Sequence, residues 1–494
     1  MPPRTPSKAN TRTKPPSRKP GGRQQKPDGS RQARSEHRRV RRREEESGRR
    51  PERPVREDLV TQASLEAYGA IRHEGRLADR ALEYTLRPKR HLYSNERRAV
   101  AERVYALVRR QRTVDALLEQ TGAAFGQMST TAQDRLRIAA SRVLDAEDAG
   151  MVAQGMGLSA AEMDALSRLA TAKRALAKLP EEERFAVETS FPDALARAWR
   201  AEYSEEAQTA ADAVNTRAPL TIRTNTLKTD REALRTRLRA EAVEATPTPL
   251  SPLGLFLSGR KNAFALQSFR DGLFEIQDEG SQLLGMLVDA PPTCVVDACA
   301  GAGGKTLQLA AQMKNRGELF ALDVDARRLE ELRQRARRAG VHNTRVRVIP
   351  REGASAQEAL ADLVGKADRV LVDAPCTGTG TLRRKPDARY RFAEEMLSEA
   401  AGRQRALLDQ FATLVKPGGR LVYGTCSVLR AENEAVVEAF LAAHPEFRLL
   451  PPADKLGPEL GARVSRGDFL RLTTHVHGTD GFFGAILLRA RQPA

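Results

Sequence analysis

Cys294-Val-Val-Asp-Ala-Cys299, continuing into Ala300-Gly301-Ala302-Gly303-Gly304-Lys305, is the stretch that decides the fold. Its apolar run reads as a strand, and the glycines that follow let the backbone turn tightly and approach a ligand closely. A helix is expected next, with Leu307, Ala310 and Ala311 on one face. A second strand, Leu319-Phe-Ala-Leu-Asp323, ends in an acid 22 residues after Gly301. A further helix, Arg327 to Ala339, turns Leu329, Leu332 and Ala336 inward. From about Leu266 to the C-terminus strand-like and helix-like runs alternate, which predicts a parallel sheet with crossover helices. The fold class is therefore α/β, a Rossmann-like, doubly wound sheet.

The glycine loop narrows the ligand. It lacks the G-x-G-x-x-G order of a dinucleotide fingerprint and the G-x-x-x-x-G-K-[ST] of a P-loop. Asp297 stands four residues before Gly301, giving D-x-x-x-G-x-G, which suits S-adenosyl-L-methionine (SAM) better than a nicotinamide cofactor. The candidate cofactor-binding residues are Cys299, Ala300, Gly301, Ala302, Gly303, Gly304 and Lys305. Asp323 is placed to accept hydrogen bonds from ribose hydroxyls.

Two of the four cysteines close strand-like runs. Cys376 ends Arg369-Val-Leu-Val-Asp-Ala-Pro-Cys376, and Cys426 ends Arg420-Leu-Val-Tyr-Gly-Thr-Cys426. Each lies where a strand hands over to a loop, the edge at which open α/β sheets bind ligands. If the strand order is 3-2-1-4-5, these two strands are neighbours, about 4.8 Å apart, and both thiols address one substrate. With Asp373 they form an acid and two thiols beside a methyl donor. That set can methylate a weakly nucleophilic ring carbon such as carbon 5 of cytosine: a thiolate adds at carbon 6, an acid assists at ring nitrogen 3, and a base removes the carbon-5 proton.

Composition sets the surroundings. Of 494 residues, 40% are hydrophobic and 30% charged, as in a soluble globular protein. No apolar stretch is long enough to span a bilayer, the N-terminus lacks the apolar core of a secretory signal, and four irregularly spaced cysteines make no disulfide framework. These readings fit a cytoplasmic protein with no membrane partner. The seven histidines form no metal-ligand pattern, so no metal is expected, and His475 and His477 are read as a pair on a solvated strand or loop.

The net charge of +18 is uneven: residues 1–56 hold 19 Lys/Arg against 6 Asp/Glu, leaving only +5 for the remainder. This segment, rich in Pro, Gly, Ser, Gln and Arg, is expected to be a disordered tail attracted to phosphates. Residues 57–185 read as an all-helical domain, with Val100, Val104, Leu107, Val108, Val114, Leu117 and Leu118 facing a core. Residues 190–265 read as a small α+β subdomain, in which Thr221-Ile-Arg-Thr-Asn225 is a strand and Arg231 to Leu238 a helix. Residues 266–494 form the catalytic domain.

Asp373-Ala-Pro-Cys376-Thr-Gly-Thr-Gly and Tyr423-Gly-Thr-Cys426-Ser together resemble the paired signature of the Nop/Sun family of RNA cytosine-5 methyltransferases. Residues 299–305 resemble that family's SAM motif. The resemblance extends to Phe274-Glu-Ile-Gln277-Asp278-Glu279, Arg383-Arg384-Lys-Pro386-Asp387, Lys416-Pro417-Gly-Gly and Asp480-Gly-Phe-Phe483. Asn215-Thr-Arg-Ala218-Pro219, with Arg223 and Asn225, resembles the family's small RNA-binding subdomain. More loosely, residues 57–180, with Glu102-Arg-Val-Tyr-Ala-Leu-Val-Arg-Arg, resemble the NusB-like RNA-binding domain of RsmB-type ribosomal RNA methyltransferases.

The resemblance implies Cys426 as nucleophile, Cys376 as the residue of product release, and Asp373 at the base edge near the donor. It implies Lys305 near the cofactor carboxylate or a substrate phosphate. The family's loop proline is replaced by Ala302, and the acid that it carries after the third strand has Glu352 as its nearest match. The implied substrate is small-subunit ribosomal RNA or an assembly particle. The alternatives are a tRNA or DNA cytosine-5 methyltransferase and a non-catalytic RNA-binding assembly factor. The second thiol, in Thr-Cys-Ser, argues against DNA.

Deleting residues 1–56 is expected to weaken RNA binding and flatten its salt dependence without moving the methylated base, because phosphate contacts supply affinity and little sequence information. Titrations at several salt concentrations, paired with mapping of the modified base, check both halves. An unchanged salt slope would remove the electrostatic role.

Overall fold

The computed structural model describes residues 53–122, 125–258, 262–351 and 353–491. The basic segment read as a tail lies outside these residues up to position 52, and so does Glu352. The described residues from Arg56 onward form one compact unit.

Two sheets organise it. The smaller is antiparallel: β1 (Leu220–Thr224), β2 (Glu244–Pro247), β3 (Gly254–Ser258) and β4 (Phe274–Ile276), in the order β2-β3-β1-β4. The larger holds β5 (Cys294–Asp297), β6 (Glu318–Asp323), β7 (Thr344–Val348), β8 (Ala367–Asp373) and β9 (Val415–Thr425), all parallel. It is completed by β10 (Phe447–Leu450), β11 (Ser465–Arg466), β12 (Phe469–Leu472) and β13 (Phe482–Arg489). Their order is β11-β12-β13-β9-β8-β5-β6-β7, with β10 also on β13. The parallel strands therefore run 3-2-1-4-5, as the sequence predicts of a Rossmann-like sheet, and β8 and β9 are neighbours.

Both faces of the large sheet are covered, which suits the near-continuous apolar character of its central strands. Leu329, Leu332 and Ala336 of helix Ala326–Ala339 are buried, as their spacing predicts. Helix Glu279–Leu287 covers the same face farther along, very close over Gly424 of β9 and its register partner Gly484 of β13, while Leu408 and Phe411 of helix Glu395–Ala412 pack on the opposite face. A Cβ at Gly424 would stand 2.5 Å from Leu284 Cδ2, and one at Gly484 2.8 Å from Leu287 Cδ1.

Upstream, helices run from Glu57 to Val214. Val100, Val104, Leu107, Val108, Val114, Leu117 and Leu118 all enter one apolar core. The long helix Ser94–Glu119 is broken at Arg110, whose φ is −127°. A break strands the carbonyls before it and the amides after it. Here other segments replace the lost helical partners. Ser190 Oγ accepts from the amides of Arg112 at 2.8 Å and Thr113 at 3.4 Å. Tyr390 OH donates to Val108 O at 2.9 Å, and Arg389 Nη1 donates to Arg109 O at 2.8 Å. Arg389 is fully buried and also donates to Asn215 Oδ1 at 2.8 Å. The segment after Cys376 thereby completes the helix that lies almost 300 residues earlier.

His475 and His477 are not on a solvated strand or loop. They sit in the one-turn helix Thr474–His477, where the His475 side chain is 7% exposed, pairs with Glu206 at 3.0 Å and meets the Tyr203 ring edge-on.

Arg389→Ala should lower stability by about 3 kcal/mol, since it leaves buried acceptors without a donor. Arg389→Lys should recover little, because an ammonium lacks the planar fork. Urea unfolding of the three proteins measures both.

Candidate active site

The carboxyl ends of β5, β6, β8 and β9 converge on one cleft, and each supplies a side chain of the set expected from sequence. After Asp297, the last residue of β5, the chain passes through Gly301 at φ +54° and Gly303 at φ +87° before helix Gly304–Gln312 begins. Gly303 is required twice over. Its φ is left-handed, and a Cβ there would lie 2.6 Å from Leu332 Cγ. The loop is then pinned from several sides. Asp323 Oδ2 accepts from the Gly301 amide at 2.7 Å, while its Oδ1 accepts from the Asp325 amide at 2.8 Å.

The small sheet supports the same loop from beneath. Glu275 on β4 holds Arg335 at 3.0 Å, and Arg335 Nη1 donates to Ala302 O at 2.8 Å. Arg223 on β1 is 2% exposed and donates to Gly304 O at 2.8 Å and to Gln277. Burial pushes its guanidinium down to about 10. Asn225 is buried too, donating to Gly272 O and Ala339 O, each at 2.8 Å. Both side chains turn inward and brace the glycine loop and its neighbours. Nothing local in the sequence marks Glu275 and Arg335, because the strand, helix and loop that they join are separate along the chain.

The cleft has a volume of about 1100 Å³ and is lined by the loop, by Asp323, Ile349 and Arg351, and by Leu407 and Phe411 of helix Glu395–Ala412. That is ample for a nucleoside-sized ligand. Asp297 is 1% exposed and accepts from Thr306 Oγ1 at 2.7 Å, but its Oδ1 has no partner. A cleft with both apolar and charged walls, a close-approach glycine loop and an unsatisfied buried carboxyl oxygen together fit SAM. Residues 299–305 and Asp323 would hold it. When bound, SAM supplies an electrophilic methyl group.

The two thiols meet at the same cleft. Asp373 on β8 is in register with Gly424 on β9, and the Sγ atoms of Cys376 and Cys426 lie 3.3 Å apart. Lys305 Nζ donates to Asp373 Oδ2 at 2.7 Å, so the lysine is committed to the acid of the other motif. The thiols differ in character. The hydrogen bond from Cys376, helped by the charges of Lys305 and Lys385, favours the thiolate of Cys426. Donating that bond, together with burial, holds the Cys376 thiol well above its usual range. Burial likewise raises Cys299, whose side chain lines the cleft beside the loop. Among the described residues no cluster of His, Cys, Asp and Glu could hold a metal ion, and no helix is long and apolar enough to cross a membrane.

Sheet order, glycine loop and cleft define a SAM-dependent methyltransferase. The family model for the 16S rRNA methyltransferase RsmB/F matches residues 286–488, and that for the ferredoxin-like domain of RsmF/B-like methyltransferases matches 191–263. The chain is 32% identical over 430 residues to a probable ribosomal RNA small subunit methyltransferase B of Synechocystis, spanning 83% of this chain and 94% of the relative. Its fold matches the crystal structure of PH0851 with a TM-score of 0.69 at 28% identity, over 89% of this chain and all of that one. A methyltransferase homolog from Pyrococcus horikoshii matches with a TM-score of 0.53 at 30% identity, over 63% of this chain and 99% of its own. The chain belongs to the RsmB/F family of ribosomal RNA methyltransferases, and SAM is its methyl donor. Most of the upstream helices lie outside both matched regions.

Burial raises Asp297 to about 7, with Thr306 and Lys305 opposing. An acid raised on folding stabilises the fold below its unfolded pKa, near 4, and that contribution is lost as pH climbs toward 7. Asp297→Asn should therefore flatten the fall in cofactor-free thermal stability between about pH 4 and 7, and weaken SAM binding by about tenfold or more. A decline as steep as the parent's would show that this carboxyl does not titrate there.

Proposed function

We propose that the protein methylates carbon 5 of a cytosine in small-subunit ribosomal RNA through a covalent cysteine–cytosine adduct. The observation that carries this reading is the thiol pair at 3.3 Å, set beside the Lys305–Asp373 ion pair at the mouth of the cofactor cleft. Two adjacent thiols of opposite protonation preference are what addition followed by elimination needs.

In this scheme the Cys426 thiolate adds its electron pair to carbon 6 of the ring, and the displaced π electrons make carbon 5 enamine-like. Asp373 contacts the base edge at ring nitrogen 3, and Lys305 holds that carboxylate in place. After methylation a base removes the carbon-5 proton, the electrons of that carbon–hydrogen bond restore the 5,6 double bond, and the carbon 6–sulfur bond breaks with its pair leaving on sulfur. Cys376, at hydrogen-bond distance from the departing sulfur, serves product release. The leaving thiolate of Cys426 recovers its hydrogen bond from Cys376.

The substrate assignment rests on the family of ribosomal RNA methyltransferases. The helical residues 57–185, read as NusB-like, and the subdomain at 190–265 would dock the RNA. Bases in RNA are reached in loops or by flipping out of a stack, so a cleft that presents its thiols at an open strand edge suits such a target.

Cys426→Ala is expected to abolish both turnover and the covalent adduct. Cys376→Ala should accumulate an SDS-stable enzyme–RNA band, because addition and methyl transfer survive while elimination fails. The reverse pattern would exchange the two roles. Bisulfite sequencing of ribosomal RNA and tRNA from a deletion strain identifies the modified cytosine and its RNA.

A further inference from the structure

Beneath the two thiols lies a carboxylate that the scheme above does not use. Glu432 is fully buried, in the one-turn segment Arg430–Glu432 that follows the Cys426 loop. Its Oε1 accepts from the Thr377 amide at 2.8 Å and from Gln404 Nε2 at 3.2 Å. Its Oε2 accepts from Thr377 Oγ1 and from Ser427 Oγ, each at 2.5 Å. Thr377 follows Cys376 and Ser427 follows Cys426. One carboxylate therefore ties together the residues immediately after both thiols.

The surrounding bonds strengthen that tie. Gln404 also donates to Pro375 O at 3.1 Å, on the other side of Cys376. The Thr379 and Ser427 hydroxyls meet at 3.0 Å, and the Gly380 amide donates to Cys426 O at 2.9 Å. Tyr423 OH donates to Glu432 O at 2.6 Å, fixing the segment against β9. Four donors thus converge on one buried carboxylate, and a buried acidic side chain is kept only where its partners hold it well.

We propose that Glu432 is the positioning residue of the thiol pair: it clamps the Cys376 loop to the Cys426 loop and decides which sulfur presents as the nucleophile. The charges facing the pair agree. Glu432 disfavours a thiolate on Cys376, after the larger effects of the Cys426 hydrogen bond and burial. On the far side Lys305 and Lys385 favour a thiolate on Cys426, with Asp373 opposing them. The two sulfurs thus sit between an anion behind one and cations beside the other.

The inference builds on the proposed roles of the thiols, but its test uses the free enzyme and needs no turnover. Under reducing conditions, with SAM and RNA absent, iodoacetamide labelling of Cys376 and Cys426 is followed against pH by peptide mass spectrometry. The parent should label at Cys426 first. Glu432→Gln keeps the shape and removes the charge. It should move Cys376 labelling to lower pH and cut the Cys426-to-Cys376 ratio about tenfold, one pKa unit of preference. Ser427→Ala severs the bond from the Cys426 loop and leaves the carboxylate paired to Thr377 and Gln404. It should lower the same ratio by about threefold, and it keeps the test open should Glu432→Gln not fold. Labelling profiles that superimpose on the parent's in whichever variants fold would overturn the clamp. A failure of Cys426→Ala to abolish methylation would instead overturn the assigned chemistry and leave the labelling result standing.

Discussion

The parallel pairing of β8 with β9 is the constraint on which the site depends. Asp373 faces Gly424 in register, and the two strands leave the sheet side by side. Cys376 and Cys426 are distant in sequence, yet each follows its strand by a few residues, so hydrogen-bonded backbone delivers both sulfurs to one place. Register in a buried sheet is strongly specified, since a slip of one residue turns every apolar side chain to the wrong face. The 3.3 Å contact is thus a property of the sheet's core rather than of two loops finding each other.

Around that pair the charges are layered. Lys305 joins the glycine-loop helix to Asp373 at the end of β8, so one ion pair ties the two sides of the cleft together. Behind the glycine loop, Glu275 and Arg335 link β4 to Ala302 O, while Arg223 links β1 to Gly304 O. The small sheet is therefore not only a neighbour of the catalytic sheet. Its buried side chains hold the glycine loop at the edge of the cleft, so a disturbance in one is felt in the other.

Much of this was legible in the chain. The strand–glycine–helix–strand–acid run from Cys294 to Asp323 predicted the sheet and its cofactor edge, since local turn chemistry and apolar periodicity are written in consecutive residues. The thiols could be paired because two strand ends were recognisable and one strand order made them adjacent. What could not be read were partners set by three-dimensional proximity alone. Glu432 carries no local mark that separates it from other acids, and its four donors come from three separate segments. Arg223 and Asn225 stood out as a motif, but nothing in their spacing said that they face inward. His475 looked solvated because its ring partner, Tyr203, and its acid, Glu206, lie some 270 residues away.

The broken helix at Arg110 carries a consequence for biosynthesis. Its stranded amides find Ser190 about 80 residues later, but the carbonyls of Val108 and Arg109 wait for Tyr390 and Arg389, which are 282 and 280 residues downstream. At synthesis rates of roughly 5–20 residues per second, that is an interval of about 15–60 s. Through it the helical section stands outside the ribosome with its break solvated by water. It reaches its final form only when the segment following Cys376 emerges. The order of translation thus makes the finished N-terminal half a report that the Cys376 loop has been made.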